Sequence, residues 1–187
     1  SLNASIIQPN LELHEKWSET GVKQTKSMMQ IALENAEEGE IIVFPETALI
    51  FSENEIEDWL DYIDQKAEQK DVTLITGIIE REEGFKVRNR ILGLGMANSH
   101  YDKVKLVPFG EFIPFEWLTG KLFDIIGLRL TNTLPGERIN TINAGNIRVS
   151  ASICYEIAFS ELIRKTAAES NLIVTISNDT WFGSSYG

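Results

Sequence analysis

The sequence predicts an α/β layer fold, and three observations carry that reading. Short β-branched runs alternate with stretches of helical periodicity. With 43% apolar residues, 187 residues can bury one sizeable core, which predicts a single domain over residues 1–187. No internal repeat or low-complexity segment interrupts the alternation.

Taken in order, residues 3–8 (with Ala4, Ile6 and Ile7) read as a buried strand and residues 21–36 as a helix. Residues 41–44 (Ile-Ile-Val-Phe) read as a second buried strand. The helix at 53–70 is the clearest element: Ile56, Trp59, Leu60, Ile63 and Ala67 recur at intervals of three and four, while Glu57, Asp58, Asp61 and Asp64 form the wet face. Residues 72–79 and 88–94 follow as strands with a charged turn at 80–84, which suggests an antiparallel pair, and residues 100–104 add another strand. From 108 to 136 the chain is rich in Gly and Pro yet strongly apolar. Residues 147–153 then read as a strand, 156–169 as a helix and 171–177 as a further buried strand.

A formal net charge of −11 and a sequence pI near 4.7 argue against nucleic acid as a partner, because such binding draws most of its affinity from Lys and Arg on phosphates. The apolar runs are strand-length, far below the roughly 20 residues a membrane-spanning helix needs. The N-terminus lacks the basic patch and apolar core of a secretory signal. The single cysteine forms no internal disulfide, which suits a reducing cytoplasm or a periplasm in which the thiol stays free.

Three residues invite chemistry. Cys154 ends the strand at 148–153 and precedes the helix expected near Glu156, where backbone N–H groups and the helix dipole favour a thiolate and an oxyanion; a small buried hydrophobe is the competing reading. Glu46 lies just past the strand at 41–44, at the carboxyl end where open α/β sheets gather ligands. A carboxylate there is paired, hydrogen-bonded or a base of raised pKa, unless it is simply a turn or N-cap residue. Lys103 sits in a mixed apolar and charged stretch. It shares a strand face with Lys105, so Lys103 alone turns inward only if the strand ends between them.

With their surroundings, these residues resemble the Glu, Lys, Cys triad of the nitrilase (carbon–nitrogen hydrolase) superfamily. The segments are Phe44-Pro-Glu46, Tyr101-Asp-Lys103 running into Gly110-Glu111, and Ile153-Cys-Tyr-Glu156. Leu106-Val-Pro-Phe-Gly-Glu-Phe-Ile-Pro114, Cys154-Tyr-Glu156 and Ser177-Asn-Asp-Thr-Trp-Phe-Gly183 are similar to the apolipoprotein N-acyltransferase branch. The resemblance implies a nitrilase-type α-β-β-α sandwich, cut short on its C-terminal side, with membrane helices flanking the domain. It places the domain on the outer, periplasmic side of a bacterial inner membrane, at the membrane surface.

For the chemistry, the resemblance implies Glu46 as general base and Cys154 as the nucleophile that carries an acyl group as a thioester. It makes Lys103, with the backbone N–H of Tyr155, the stabiliser of the oxyanion. Glu111 becomes a second carboxylate that orients Lys103 or assists proton transfer, and Glu156 a supporting group. Tyr155 and Trp181 resemble residues that shape the acyl channel, or serve as ordinary packing. The implied donor is a phospholipid and the implied acceptor the α-amine of a diacylglyceryl-cysteine apolipoprotein. No cofactor is implied. Residues 112–130 are either a lipid-touching arm or a helix folded onto the core.

Several patterns are set aside. Gly183-Ser-Ser-Tyr-Gly187 fits G-x-S-x-G, but no acid and histidine follow it; His14 and His100 lie upstream. Gly93-Leu-Gly95 lacks the third glycine of a dinucleotide loop, and no His or Cys cluster suggests a metal site. The rival functions are a soluble nitrilase-type amidase acting on a small amide and an inactive binding domain on the same fold. Flanking sequence decides between the transferase and the amidase: apolar helices on both sides of the segment would favour the transferase, whereas a start codon close to Ser1 would favour the amidase. The complete triad disfavours the binding domain.

Overall fold

A computed structural model describes residues 2–84, 86–107, 111 and 132–178. Among these residues, six strands form one sheet in the order β1 (Ala4–Ile6), β2 (Ile41–Val43), β3 (Thr73–Glu82), β4 (Lys86–Gly95), β5 (His100–Asp102), with β6 (Asn132–Thr133) also pairing with β4. Three strands, β7 (Ile142–Ala144), β8 (Ile147–Ile153) and β9 (Leu172–Ile176), form a second sheet.

Alternation along the strands explains the layers, since successive side chains leave a strand on opposite faces. Ile42, Leu74 and Leu92 face a core shared with Met29 and Leu33 of helix α2 (Glu19–Asn35) and Ile63 of helix α3 (Glu57–Gln69). Their neighbours Ile41, Ile75 and Ile91 face the other way, against Val149, Ala151 and Ile153 of β8 and Val174 and Ile176 of β9. On the outer face of β8, Ser150 bonds Thr166 of helix α4 (Ser160–Ala167). The order is helices, sheet, sheet, helix: an α-β-β-α sandwich, as the resemblance implies.

Local chemistry sets the helix ends. Helix α1 (Leu13–Lys16) opens with a capping box between Glu12 and Glu15. In α2 the Ser18 hydroxyl caps Gly21 N at 3.0 Å, and Lys70 donates to the carbonyls of Leu33 and Glu34 near its C-terminus. Leu60, Ile63 and Ala67 of α3 are buried, as their spacing requires. The expected helix at 53–70 is broken, however: a 3₁₀ turn at Glu53–Glu55 precedes α3, held where Ser52 and Glu55 form a second capping box.

Other expectations need correction. The segment at 3–8 is not a buried strand; β1 lies at the sheet edge and Ile6 is 77% exposed. Strand β9 buries Val174 and Ile176 but leaves Ile173 exposed, because only one face meets the inter-sheet core. The turn expected at 80–84 is mostly strand: Glu80 pairs in register with Arg88, and Arg88 bonds Glu82 at 2.8 Å, so opposite charges stabilise the ladder. The helix expected at 156–169 is a 3₁₀ turn at Cys154–Ala158 followed by α4. The two-residue β6, the three-residue β7 and the one-turn α1 escaped the sequence reading. Phe85, the apolar stretch 112–131, Trp181 and the G-x-S-x-G segment lie outside the described residues.

Candidate active site

Because β1, β2 and β3 run parallel and β4 and β5 each reverse direction, the carboxyl ends of β2 and β5 meet on one side of the first sheet. Strands β8 and β9 run parallel in the second sheet. The residues just past β2, β5, β8 and β9 are the ones that matter here, the usual ligand position in such sheets.

After β2 the chain turns through Pro45, Glu46 and Thr47, with Thr47 at φ 53°. This turn rests directly on β3 at Gly77. A Cβ added there would stand 2.4 Å from Thr47 N and 2.7 Å from the Glu46 Cα, so only glycine permits the approach. Glu46 is 6% exposed. Its Oε1 accepts from Asn89 Nδ2 at 2.6 Å and its Oε2 from the backbone N–H of Asn178, just past β9, at 2.9 Å. Burial raises the Glu46 pKa above the ordinary glutamate value, with the Lys103 charge and the Asn89 bond opposing it.

Strand β5 ends at Asp102, and Lys103 turns inward at 2% exposure while Lys105 is exposed. The strand thus ends before both lysines, which frees them from sharing a face. Lys103 Nζ donates to Glu111 Oε1 at 2.8 Å and stands 3.8 Å from Glu46 Oε1, a charge contact rather than a hydrogen bond. Glu111 Oε2 accepts from Val107 N at 2.8 Å. One ammonium therefore serves two carboxylates, and its own backbone is tied to β4 through Lys103 N to Asn89 O at 2.9 Å.

Cys154 leaves β8 at φ 54°, a left-handed conformation sparsely adopted by residues other than glycine. It is a partly exposed free thiol. The dipole of a long helix does not act on it as expected, since Cys154 itself starts a 3₁₀ turn and α4 begins only at Ser160. What holds this corner is Glu156, which is 0% exposed. Its Oε2 accepts from Ile153 N at 2.9 Å. Its Oε1 accepts from Val104 N and Lys105 N, both at 2.8 Å, and from the Tyr101 hydroxyl at 2.9 Å. One carboxylate thus ties the residue before Cys154 to the two residues after Lys103, across the two sheets. Tyr155 is 57% exposed, with its ring edge-on to Phe159 at 5.6 Å.

The structure brings together Glu46, Lys103 and Glu111, and fastens the Cys154 and Lys103 segments to each other through Glu156. Trp181 lies outside the described residues. The sequence reading missed Asn89, Asn178 and Lys16, whose Nζ donates to the Glu46 carbonyl at 3.1 Å. Asn89 left a signal, an amide in the middle of a strand, where Asn is depleted; Lys16 left none. Among the described residues no group of three His, Cys, Asp or Glu side chains is placed to hold a metal ion, and no helix is long and apolar enough to cross a membrane.

Comparison with known proteins gives a consistent frame. The carbon-nitrogen hydrolase family profile matches residues 3–187. The apolipoprotein N-acyltransferase of Photobacterium profundum is 30% identical over 198 residues, covering all of this chain and 38% of that protein. The Vibrio parahaemolyticus enzyme of the same name is 33% identical over 196 residues, covering 98% of this chain and 38% of its own length. The chain thus spans well under half the length of these relatives. A carbon-nitrogen hydrolase from Helicobacter pylori G27 superposes with a TM-score of 0.63 at 15% identity, over 94% of this chain and 59% of that one. Nit3 of Saccharomyces cerevisiae, a nitrilase-superfamily member, gives 0.57 at 16% identity, over 87% and 60%.

Proposed function

Since this chain belongs to the carbon–nitrogen hydrolase family, we propose that it is the acyl-transferring domain of an apolipoprotein N-acyltransferase, with Cys154 as the acyl carrier. The observation that carries the reading is the cluster of two carboxylates on one buried ammonium, Glu46 and Glu111 on Lys103, at a strand end bound through Glu156 to the corner that presents the thiol. A carboxylate of raised pKa beside a cation suits a base that must take and return a proton. The relatives that match the whole chain direct that chemistry to lipoprotein acylation.

In the first step Glu46 takes the Cys154 thiol proton and the sulfur attacks an ester carbonyl of a phospholipid, forming the C–S bond. The oxyanion is held by the Lys103 ammonium and the Tyr155 backbone N–H. The C–O bond then breaks, and Glu46 returns the proton to the departing lysophospholipid alcohol. In the second step the α-amine of a diacylglyceryl-cysteine attacks the thioester. Its proton passes through Glu46 to the sulfur, leaving an amide and a free thiol. Glu111 keeps Lys103 pointed at the carbonyl. The domain works at the surface of the inner membrane, on its outer side, where both lipids are within reach.

The test is intact-mass analysis of the full-length protein after incubation with phospholipid. A one-acyl adduct is expected, absent in Cys154→Ala and discharged by a diacylglyceryl peptide with a free amine. Absence of the adduct from folded wild-type protein, or discharge by water as fast as by the amine, would overturn the reading.

A further inference from the structure

A cavity of about 350 Å³ adjoins the turn that carries Glu46, bounded by Pro45 and Asn178, with Lys16 on its wall. We propose that it is a subsite for a phosphate monoanion, with the Lys16 ammonium as its positive pole, and that the phosphate is the diester of the lipid acyl donor. The inference rests on the acyl-transfer reading above and adds to it the place where the donor's charged part sits.

Lys16 is 8% exposed. Of its three N–H donors the structure commits one, to the Glu46 carbonyl, and among the described residues no carboxylate lies within ion-pair distance of it. Burying an ammonium without a counter-ion is costly. Burial lowers the Lys16 pKa to about 8, against the pull of the Glu46 charge. At neutral pH the group is still mostly protonated, and an anion in the cavity relieves its cost.

Among the described residues the lining contains no Asp or Glu. Gln8, Asn10, Ser177 and Asn178 add polar side chains beside Lys16, and a lysine offers phosphate the point charge it accepts well. A larger cavity of about 480 Å³ elsewhere is lined by Glu53, Glu57, Asp61 and Asp64 and would repel such a group. Glu46 does not line the Lys16 cavity; it turns its carbonyl toward Lys16 and its carboxylate toward Asn89 and Lys103. A phosphate held there adjoins the Glu46 turn and leaves the Glu46 carboxylate, which faces Asn89 and Lys103, free to act.

The experiment compares single-turnover acylation of Cys154 in the full-length protein in detergent by two donors: phosphatidylglycerol and the phosphate-free p-nitrophenyl ester of the same fatty acid. Lys16→Met is expected to lower the ratio of the two rates about tenfold or more, the factor a charge-assisted hydrogen bond supplies. Lys16→Arg keeps the ratio within about threefold, because it keeps the charge. Leu11→Asp, which places a carboxylate on a partly exposed wall of the same cavity, lowers the ratio without touching Lys16. Inorganic phosphate is expected to slow acylation by phosphatidylglycerol in the wild type and not in Lys16→Met. An unchanged ratio in both Lys16→Met and Leu11→Asp, the two rates falling together, would overturn the subsite and leave the acyl-transfer reading intact. Equal inhibition of both donors by inorganic phosphate would assign the cavity to free phosphate and overturn the headgroup assignment. No adduct from either donor in the wild type would remove the acyl-transfer reading, and this inference with it.

Discussion

Glu46 and Glu156 are two buried carboxylates, each just past the carboxyl end of a strand, and they are surrounded in opposite ways. Glu156 is sealed at 0% exposure and accepts four hydrogen bonds, three from backbone amides and one from Tyr101, as many as a carboxylate has lone pairs, with three of the four on Oε1. Glu46 accepts two, from Asn89 and Asn178, and its cation stands at 3.8 Å, leaning toward Glu111. Saturation with donors fixes a carboxylate in place as a clasp. A deficit of donors, with burial, leaves one that can take a proton.

The comparison is broken most sharply at Glu46. Glu46→Gln is expected to slow Cys154 acylation on the order of 10³-fold, the scale of a lost general base. Its stability should remain within about 1 kcal/mol of wild type. The sign follows from linkage: a pKa raised by folding contributes stability that is fully present below the ordinary glutamate value and lost as pH rises through the folded value. Ionising Glu46 in the folded protein therefore costs stability, and the amide avoids that cost. In the wild type, the acid limb of the acylation rate is expected above the ordinary glutamate range. A limb within that range, or an active Glu46→Gln, would place the base elsewhere.

Glu156→Gln should do the reverse. The amide turns one acceptor into a donor among N–H groups that cannot move, leaving buried donors unpaired at a cost of about 3 kcal/mol. Thermal unfolding of the full-length protein, together with faster hydrogen exchange at the Ile153, Val104 and Lys105 amides, reads this directly. A variant as stable as wild type would show that the clasp is not what holds the Cys154 corner.

The same contrast explains what the sequence made legible. Side-chain periodicity reports which face is buried, so α3 and the two-sided strands β2 and β3 could be read, and the resemblance of three short segments pointed to Glu46, Lys103, Glu111 and Cys154. Donor count is not periodic. Asn178 contributes a backbone amide to Glu46, which any residue but proline could supply, and Lys16 reaches the Glu46 carbonyl from thirty positions away. Glu156, expected to open the helix at 156–169, falls in the 3₁₀ turn at Cys154–Ala158. Its carboxylate is instead spent on β8 and the Lys103 segment, a tertiary demand that overrides local propensity.

The smallest effect, and the finest test of the comparison, is expected at Tyr101. Burial and the neighbouring Glu156 charge raise its pKa above the ordinary tyrosine value, so the phenol keeps its proton and donates it to Glu156. Tyr101→Phe removes that one donor and leaves the ring, which is 0% exposed in the inter-sheet core, with no large cavity. If Glu156 is saturated, three backbone donors still hold it, and the loss is that of a single hydrogen bond, about 1 kcal/mol, with the Cys154 acylation rate within about threefold of wild type. Thermal unfolding and the single-turnover rate measure the two separately. A rate that collapsed while stability fell by so little would mean that Glu156 acts on the chemistry through Tyr101, and the division between a clasp and a base would have to be redrawn.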